Sequence, residues 1–219
     1  MWFATGMRHP IHGTAKPHLQ KVQAVRKGVL AAALAAAVVA LSCTDSIWRT
    51  RSPAFYEAIE WLGVFLIFVC ICGRTWCTLY IGGRKKDELV TRGPYSIVRN
   101  PLYVFTLIGA FGIGAQFASI VVAIAMTVIA AIVFRSVVAQ EEEFLASAFP
   151  ESWGNYSASV ARFLPRLHLW RDSDELLIKP ALVMKTFLDA CLFVLAIPAA
   201  DMFEVAQAHG WLPVLMLLP

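Results

Sequence analysis

The chain is organised around long apolar stretches separated by polar segments. Apolar residues dominate positions 28–47, 55–81, 102–139 and 176–198. A helix needs about 20 such residues to cross the ~30 Å hydrocarbon core of a bilayer, and each stretch has that length. The third stretch carries only Arg135 and, at ~1.5 Å per residue, would extend nearly twice that distance as one helix. Gly112, Gly114 and residues 116–119 offer a turn, which predicts a helical hairpin over 102–139.

This pattern predicts an all-α, polytopic integral membrane protein with about five transmembrane helices. Residues 1–27 are polar and basic, and two spans follow within 28–81. The run at 28–47 is long for a signal peptide, so we interpret it as a retained anchor. Residues 82–175 form a core in which polar segments flank the hairpin. Residues 176–219 add the last span and a tail, 211–219, that is too short to cross and is expected at the interface.

The composition supports a membrane protein, and the positive charges orient it. Hydrophobic residues make up 58% of the 219 residues and charged residues only 16%, against roughly 25% charged in soluble domains. Five Lys or Arg residues precede the first span, six lie between Arg74 and Arg99, and four lie between Arg135 and Arg171. The other loops carry two and none. The positive-inside rule therefore predicts a cytoplasmic N-terminus, both long polar segments on the cytoplasmic side and the C-terminus outside. With no targeting signal beyond the first anchor, we expect a bacterial inner membrane.

The charge and the cysteine pattern argue against nucleic-acid and metal ligands. The net charge of +4 is modest and no basic patch is concentrated, so we expect no nucleic-acid partner. The five cysteines include Cys70, Cys72 and Cys77, which lack the paired spacing of a metal cluster and have no histidine nearby. We therefore predict free thiols and no metal site.

Residues 89–103 form the first segment with chemical potential. Gly93-Pro94 is a turn signal, Asn100 is a good N-cap and Pro101 a good first helical residue. The positive end of a helix beginning there, with Arg99 beside it, can hold a carboxylate or phosphate. The alternative is a helix start at the membrane interface with tyrosine anchors.

The second segment is the acidic run 141–143, which directly follows a predicted span. Negative charge is disfavoured at a helix C-terminus, so either the helix continues beyond the bilayer or the acids have a cationic partner. A solvated acidic face is the alternative. Phe149, Tyr156 and Pro165 follow downstream.

The two segments together resemble the isoprenylcysteine carboxyl methyltransferase family, which is related to the phospholipid methyltransferases. The resemblance implies a membrane methyltransferase that uses S-adenosylmethionine, with a core over 82–175. Taken position by position, it implies catalytic roles for Arg99 and Arg135. The cofactor-binding positions that it implies are Asp87, Glu88, Leu89, Val90, Tyr95, Asn100, Pro101, Leu102, Tyr103, Glu141 and Glu142.

The chain departs from the family pattern at three positions. Asn100 stands where the family usually has histidine, and it cannot act as a general base. Phe105 replaces a frequent glycine and is expected to narrow the space near the cofactor. Val137 occupies the region of an arginine typical of the substrate side, which leaves Arg135 as the nearest candidate.

The missing histidine favours an acceptor that needs no base, namely a carboxylate or thiol on a lipid-linked or small apolar molecule. Membrane lipids are the other expected partners. The remaining alternatives are a phospholipid N-methyltransferase, a membrane reductase and a non-catalytic protein on the same scaffold. In the methyltransferase interpretation, the hairpin brings Tyr95, Asn100, Tyr103 and Glu141 into one cytoplasm-facing pocket.

Overall fold

The computed structural model describes residues 43–83 and 88–219, and within these the protein is almost entirely helical. A first strand and a short helix are followed by the long α2 and a single-turn helix, then by a hairpin of two helices and a final helical rod. In chain order the elements are β1 (Thr44–Ser46), α1 (Trp48–Arg51), α2 (Pro53–Ile81), α3 (Pro94–Ile97), α4 (Pro101–Ala115), α5 (Ile120–Ala148), α6 (Pro150–Ser159), α7 (Pro180–Cys191), α8 (Ala196–Ala208) and β2 (Met216–Leu218). Short 3-10 turns occupy Leu167–Leu169 and Leu192–Leu195.

Within residues 43–83 and 88–219, three helices are long and apolar enough to cross a membrane: Pro53–Ile81, Ile120–Ala148 and the continuous rod Pro180–Ala208, each of 29 residues. The predicted all-α membrane fold is confirmed. The fourth apolar helix, α4, has 15 residues and is about 22 Å long, which is shorter than the ~30 Å core. Most of the first predicted span lies outside the described residues, and its last part, Thr44–Ser46, forms β1 instead.

Prolines set the starts of several helices. The first helical residue is proline in α2, α3, α4, α6 and α7. The proline ring fixes φ near the helical value, and the missing N–H falls where no intrahelical partner exists. The predicted start of α4 at Pro101 is therefore confirmed.

The predicted hairpin is present, and its turn is the polar stretch at 116–119. Ala118 adopts a positive φ of 45°. The Ser119 hydroxyl accepts from the Val122 amide at 3.3 Å and caps α5. Glycines let α4 approach α2 closely, since a Cβ added at Gly112 would lie 2.9 Å from the Gly63 carbonyl oxygen. Small residues at such crossings are typical of membrane helix packing.

A short parallel pairing of β1 with β2 lies beside this turn. The Ser46 hydroxyl donates to the Ala118 carbonyl at 2.7 Å, and the Ser119 hydroxyl donates to the Pro219 carbonyl at 2.8 Å. The chain's last residues are therefore attached to the hairpin turn. The sequence analysis predicted only that residues 211–219 lie at the membrane interface, and it did not predict this strand pairing.

At the opposite end of the hairpin, the segment after α6 runs back along residues 93–99. The Arg99 amide donates to the Ala161 carbonyl at 2.9 Å. Two further backbone bonds, Arg166 N–H to Ile97 and Gly93 N–H to Arg171, measure 2.9 and 2.7 Å. These bonds join the two segments that the sequence singled out. Gly93 has φ of 57°, where a side chain would be strained, and an added Cβ would also meet the Tyr80 ring at 2.2 Å.

Candidate functional site

A cavity of about 290 Å³ lies where α2 ends, α4 begins and α5 extends past its apolar part. Its volume is close to the lower end of the range for small-molecule sites. The walls include Tyr95, Asn100, Tyr103 and Glu141 together, so the hairpin does bring these four residues to one place. The predicted site residues that line the cavity are Glu88, Leu89, Val90, Tyr95, Arg99, Asn100, Pro101, Leu102, Tyr103, Glu141 and Glu142.

Two predicted site residues are not on these walls. Asp87 lies outside the described residues. Arg135 is exposed and does not line the cavity, whereas its neighbour Phe134 does. Successive residues of a helix point about 100° apart, and the face of α5 toward the cavity carries Phe134, Glu141 and Leu145, which are seven and four residues apart and so lie on one face. The geometry therefore gives Arg135 no contact with the site.

Glu142 is the centre of a buried polar network. Its Oε1 accepts from Asn100 Nδ2 at 3.0 Å and lies 3.4 Å from Arg99 Nε. Its Oε2 accepts from Arg162 Nε at 2.9 Å and also from Arg162 Nη2. Asn100 Nδ2 additionally donates to the Arg162 carbonyl at 3.3 Å. The acid is thus compensated by two guanidinium groups and holds the start of α4 against the segment after α6.

Glu141 has a different environment, although it is the next residue. It is only partly buried and accepts a hydrogen bond from the Tyr103 hydroxyl on the cavity wall. The Tyr103 ring packs against Phe134 with a centroid distance of 5.1 Å. The two acids therefore differ in position: Glu142 joins protein segments, and Glu141 faces the cavity beside a tyrosine.

Arg99 is held in place from several directions. Its Nη1 donates to the Ser157 carbonyl at 3.1 Å, and its guanidinium lies over the Trp153 ring at 5.7 Å from the centroid. Its Nε is buried and makes no hydrogen bond within the described part of the chain, because the approach to Glu142 does not have hydrogen-bond geometry. A fixed guanidinium at a cavity wall is suited to binding an anion.

Arg74 is a cavity residue that the sequence interpretation missed. It lies in the membrane helix α2, and its Nη1 donates to the Thr106 hydroxyl of α4. Its Nε is buried without a hydrogen-bond partner among the described residues. An ionisable residue within a membrane span indicates function by default. The sequence shows Arg74 within an apolar stretch, but the sequence interpretation assigned its charge to the polar segment that follows.

The buried tyrosines of the site remain neutral. Burial raises the pKa of Tyr95 well above its usual range, and its hydroxyl has no hydrogen-bond partner among the described residues. Burial also raises the pKa of Tyr156, whose hydroxyl donates to the Tyr95 carbonyl at 2.8 Å. Neither phenol is a proton acceptor at neutral pH, because both keep their protons.

Comparison with known proteins identifies the family. A family model described as phospholipid methyltransferase matches residues 58–152. The chain is 34% identical over 195 residues to the nickel-cobalt-cadmium resistance protein NccN of Alcaligenes xylosoxydans xylosoxydans, covering 89% of this chain and 90% of that protein. The chain belongs to the phospholipid methyltransferase family. This family belongs to the isoprenylcysteine carboxyl methyltransferase-related superfamily, so the resemblance seen in the motifs is confirmed.

A second relative of the chain has a name similar to that of NccN. The cobalt-zinc-cadmium resistance protein CzcN of Cupriavidus metallidurans is 35% identical over 157 residues, or 72% of each chain. No solved structure matches the chain significantly. Within residues 43–83 and 88–219, no group of three or more His, Cys, Asp or Glu side chains is arranged to hold a metal ion. No disulfide joins the five cysteines, all of which are in the described part.

Two departures from the methyltransferase pattern have structural explanations. Asn100 stands at the N-cap position of α4, but its side chain makes no capping bond and donates to Glu142 instead. Phe105 does not line the cavity, contrary to the expectation that it narrows it. Its ring packs against Gly73 of α2, where an added Cβ would lie 2.1 Å away. The large side chain at position 105 therefore fills the space that a glycine leaves in the neighbouring helix.

The residues around the cavity suit the charged cofactor of methyltransferases. S-adenosylmethionine carries an ammonium group, a carboxylate and several polar groups. The cavity offers the Glu141 carboxylate, the Arg99 guanidinium and the N-terminal end of α4, and the buried Arg99 Nε makes no hydrogen bond among the described residues. Buried donors without partners are costly unless a ligand satisfies them, so this donor set fits such a ligand.

Proposed function

We propose that this protein transfers a methyl group from S-adenosylmethionine to a carboxylate or thiol of a lipid-linked or small apolar molecule. The observation that carries the proposal is the cavity in which Glu141, Arg99 and the start of α4 meet. This combination offers one negative and two positive binding elements to a ligand that has both charges. The match to the phospholipid methyltransferase family supports the reaction class.

In this proposal, the cofactor's two charged ends have separate binding groups. Glu141 binds the ammonium group, with the Tyr103 hydroxyl keeping the carboxylate in position. Arg99 and the positive end of α4 bind the carboxylate, and the Glu142 network keeps both of them in place. When bound, the cofactor supplies a methyl group on a positively charged sulfur.

The acceptor is inferred from Asn100 and the residues around it, which offer no free proton acceptor. Asn100 cannot accept a proton, the buried tyrosines stay protonated, and Glu142 is occupied by Arg99 and Arg162. A carboxylate or thiolate acceptor needs no base, since its own negative charge attacks the methyl group. Orientation of the reactants and exclusion of water by the walls supply the catalysis. Phe134 and Leu145 give the cavity an apolar side for the rest of the acceptor.

A phospholipid amine is the second candidate acceptor, because the matching family model is described as phospholipid methyltransferase and the amine is a phospholipid group that can take a methyl group. An amine must lose a proton, and Glu141 is a cavity carboxylate outside the ion pairs that hold Glu142. Methylation assays with an amine headgroup lipid and with a prenylated cysteine distinguish the two acceptors. Product formation from the amine lipid alone would refute the carboxylate or thiol assignment.

Calorimetric titration of the purified full chain tests the cofactor. We expect S-adenosylmethionine to bind and a reduced nicotinamide not to bind. Binding of the nicotinamide alone would favour the reductase alternative. Binding of neither ligand would favour a non-catalytic protein. In Glu141→Gln the shape is kept and the charge is lost. A charge-assisted contact contributes about 1.5–3 kcal/mol, so affinity should fall about ten- to a hundred-fold with the fold intact.

Glu143→Gln is the matched control, because Glu143 is exposed and does not line the cavity. It should bind the cofactor like the parent. Equal affinities for the parent and both variants would contradict the role of Glu141. The names of the two relatives share cobalt and cadmium, which leads us to propose that the reaction supports growth in these two metals. Growth in these metals should then fail with Glu141→Gln and persist with Glu143→Gln, whereas equal growth would reject that extension.

A further inference from the structure

A second cleft, of about 280 Å³, lies beside the segment that follows α6. Its polar side chains include those of Arg92, Arg171, Thr91, Asn155 and Ser159, and none of the described residues that line it is acidic. Two guanidinium groups with hydroxyl and amide donors form a set that matches the oxygens of a phosphate group. Only Tyr156 lines both this cleft and the cavity described above.

The nearest acid along the chain does not neutralise the two arginines. Asp172 follows Arg171, but its Oδ1 accepts from the Tyr80 hydroxyl at 2.7 Å and from the Ser173 amide at 2.8 Å. Arg92 reaches only the Asp172 backbone carbonyl, at 3.3 Å. Both guanidinium groups are in exposed residues, so the cleft is open to a ligand from outside.

Contacts with α2 place the cleft at the depth of the membrane surface. The Trp170 ring stacks on Trp76, with centroids 5.6 Å apart and 26° between planes. Trp76 and Tyr80 lie in the last two turns of α2, a helix long and apolar enough to cross a membrane. Tryptophan and tyrosine are enriched at the membrane–water interface. The residues next to the cleft are therefore held where lipid headgroups lie.

Exposed apolar side chains accompany the arginines in this segment. Leu164 and Leu167 are 78% and 72% exposed, and Trp170 is 42% exposed. Apolar groups beside cations fit a lipid, whose acyl chains and phosphate need both, better than a soluble anion, which needs only the cations.

We propose that this cleft binds the phosphate of an anionic phospholipid, with Arg92 and Arg171 holding the phosphate and the Leu167–Trp170 side lying against the acyl chains. The site is separate from the methyl-transfer cavity and does not depend on the proposed reaction. The lipid in this cleft is a structural lipid that stays bound, and it is not the methyl acceptor. Occupancy bridges residues 91–96 and 169–171, the same two segments that the backbone bonds join.

Quenching of Trp170 by brominated lipid tests the proposal. The full chain in neutral detergent is titrated with dibrominated phosphatidylglycerol or dibrominated phosphatidylcholine, and the difference between parent and Trp170→Phe isolates Trp170 emission. An arginine near an anionic surface contributes about 1 kcal/mol, or about five-fold. We therefore expect half-maximal quenching at roughly 25-fold less phosphatidylglycerol than phosphatidylcholine, since two arginines act together.

The variants separate the cleft from general charge. Arg92→Gln with Arg171→Gln should abolish the preference, whereas Arg51→Gln, an exposed arginine in α1 outside the cleft, should keep it. If the double variant does not fold, each single glutamine variant should lose about five-fold. An unchanged preference in these variants would overturn the proposal. Displacement of phosphatidylglycerol by an equal concentration of inorganic phosphate would also overturn it, since the cleft would then take soluble phosphate.

Discussion

Glu142→Gln should destabilise the fold, in contrast to the same change at Glu141. The Glu142 side chain is 9% exposed and accepts hydrogen bonds from Arg162 and Asn100 beside its ion pair with Arg99. Glutamine keeps an oxygen for Asn100 but removes the negative charge. Two guanidinium groups would then face each other across a neutral amide.

The magnitude depends on how far each arginine can reach water. Removing one partner of a buried ion pair costs about 3–5 kcal/mol, because a buried charge is left uncompensated. The Arg162 side chain is 44% exposed and can turn outward, whereas the Arg99 side chain is 15% exposed and cannot. We therefore expect a loss of about 3 kcal/mol, at the lower end of that range. For a chain of this size, that lowers the melting temperature by roughly 6–12 °C.

Thermal unfolding of the purified protein in detergent, followed by tryptophan fluorescence, measures this loss. Glu143→Gln controls for removal of one negative charge from the same helix and should melt like the parent. A loss below about 1 kcal/mol, the size of an exposed ion pair, would show that the network is solvated and refute the reasoning. The double variant Glu142→Gln with Arg162→Gln should be less destabilised than the sum of the single changes, because the two residues are in contact.

Three further outcomes follow from the packing and the charges. Gly112→Ala should cost about 1–3 kcal/mol in the same melting assay, because its Cβ would lie within 3 Å of the α2 backbone, and Gly154→Ala, with nothing within 4 Å, should not destabilise. Phe105→Ala should cost about 3 kcal/mol but leave cofactor affinity unchanged; a changed affinity would show that its ring borders the cofactor. The hydrogen bond from Tyr80 holds the pKa of Asp172 below its usual 3.8, so its contribution is present above that pH and is lost as pH falls through the lowered pKa. Trp170 fluorescence should therefore change below about pH 4 in the parent and not in Asp172→Asn, and the same acid transition in both would assign it elsewhere.

The hydrophobic pattern predicted the helices well because membrane spans are long and nearly free of charge. The turn at 116–119 was predictable from its polar residues, and the start of α4 from Asn100-Pro101. The length of α4 was not, because no charge or proline marks the end of a helix at Ala115. The pairing of Thr44 with Met216 could not be predicted either, since three-residue strands this far apart leave no periodic signal.

The candidate site was partly predictable for a similar reason. The motif residues of α4 and α5 come together because both lie at the same end of a hairpin. The different roles of Glu141 and Glu142 could not be predicted, because successive side chains of a helix point about 100° apart and the sequence does not show which of the two faces the cavity. The ion pair with Arg162 joins a helix to an irregular segment 20 residues later, and no spacing rule covers such a contact.

The bonds between residues 93–99 and 161–171 have a consequence for the order of biosynthesis. A ribosome makes the Arg99 segment and Glu142 well before it makes Arg162 and Arg171, and domains generally form from the N-terminus onward. Until residues 161–171 have been made, the Glu142 carboxylate and the Arg99 guanidinium lack the backbone bonds that later hold their segments together. The cavity can close only after the hairpin is inserted and the polypeptide has extended past it. Cofactor binding by ribosome-bound chains of increasing length would therefore begin only after Thr186, the last of the described residues that line the cavity, has left the ribosome.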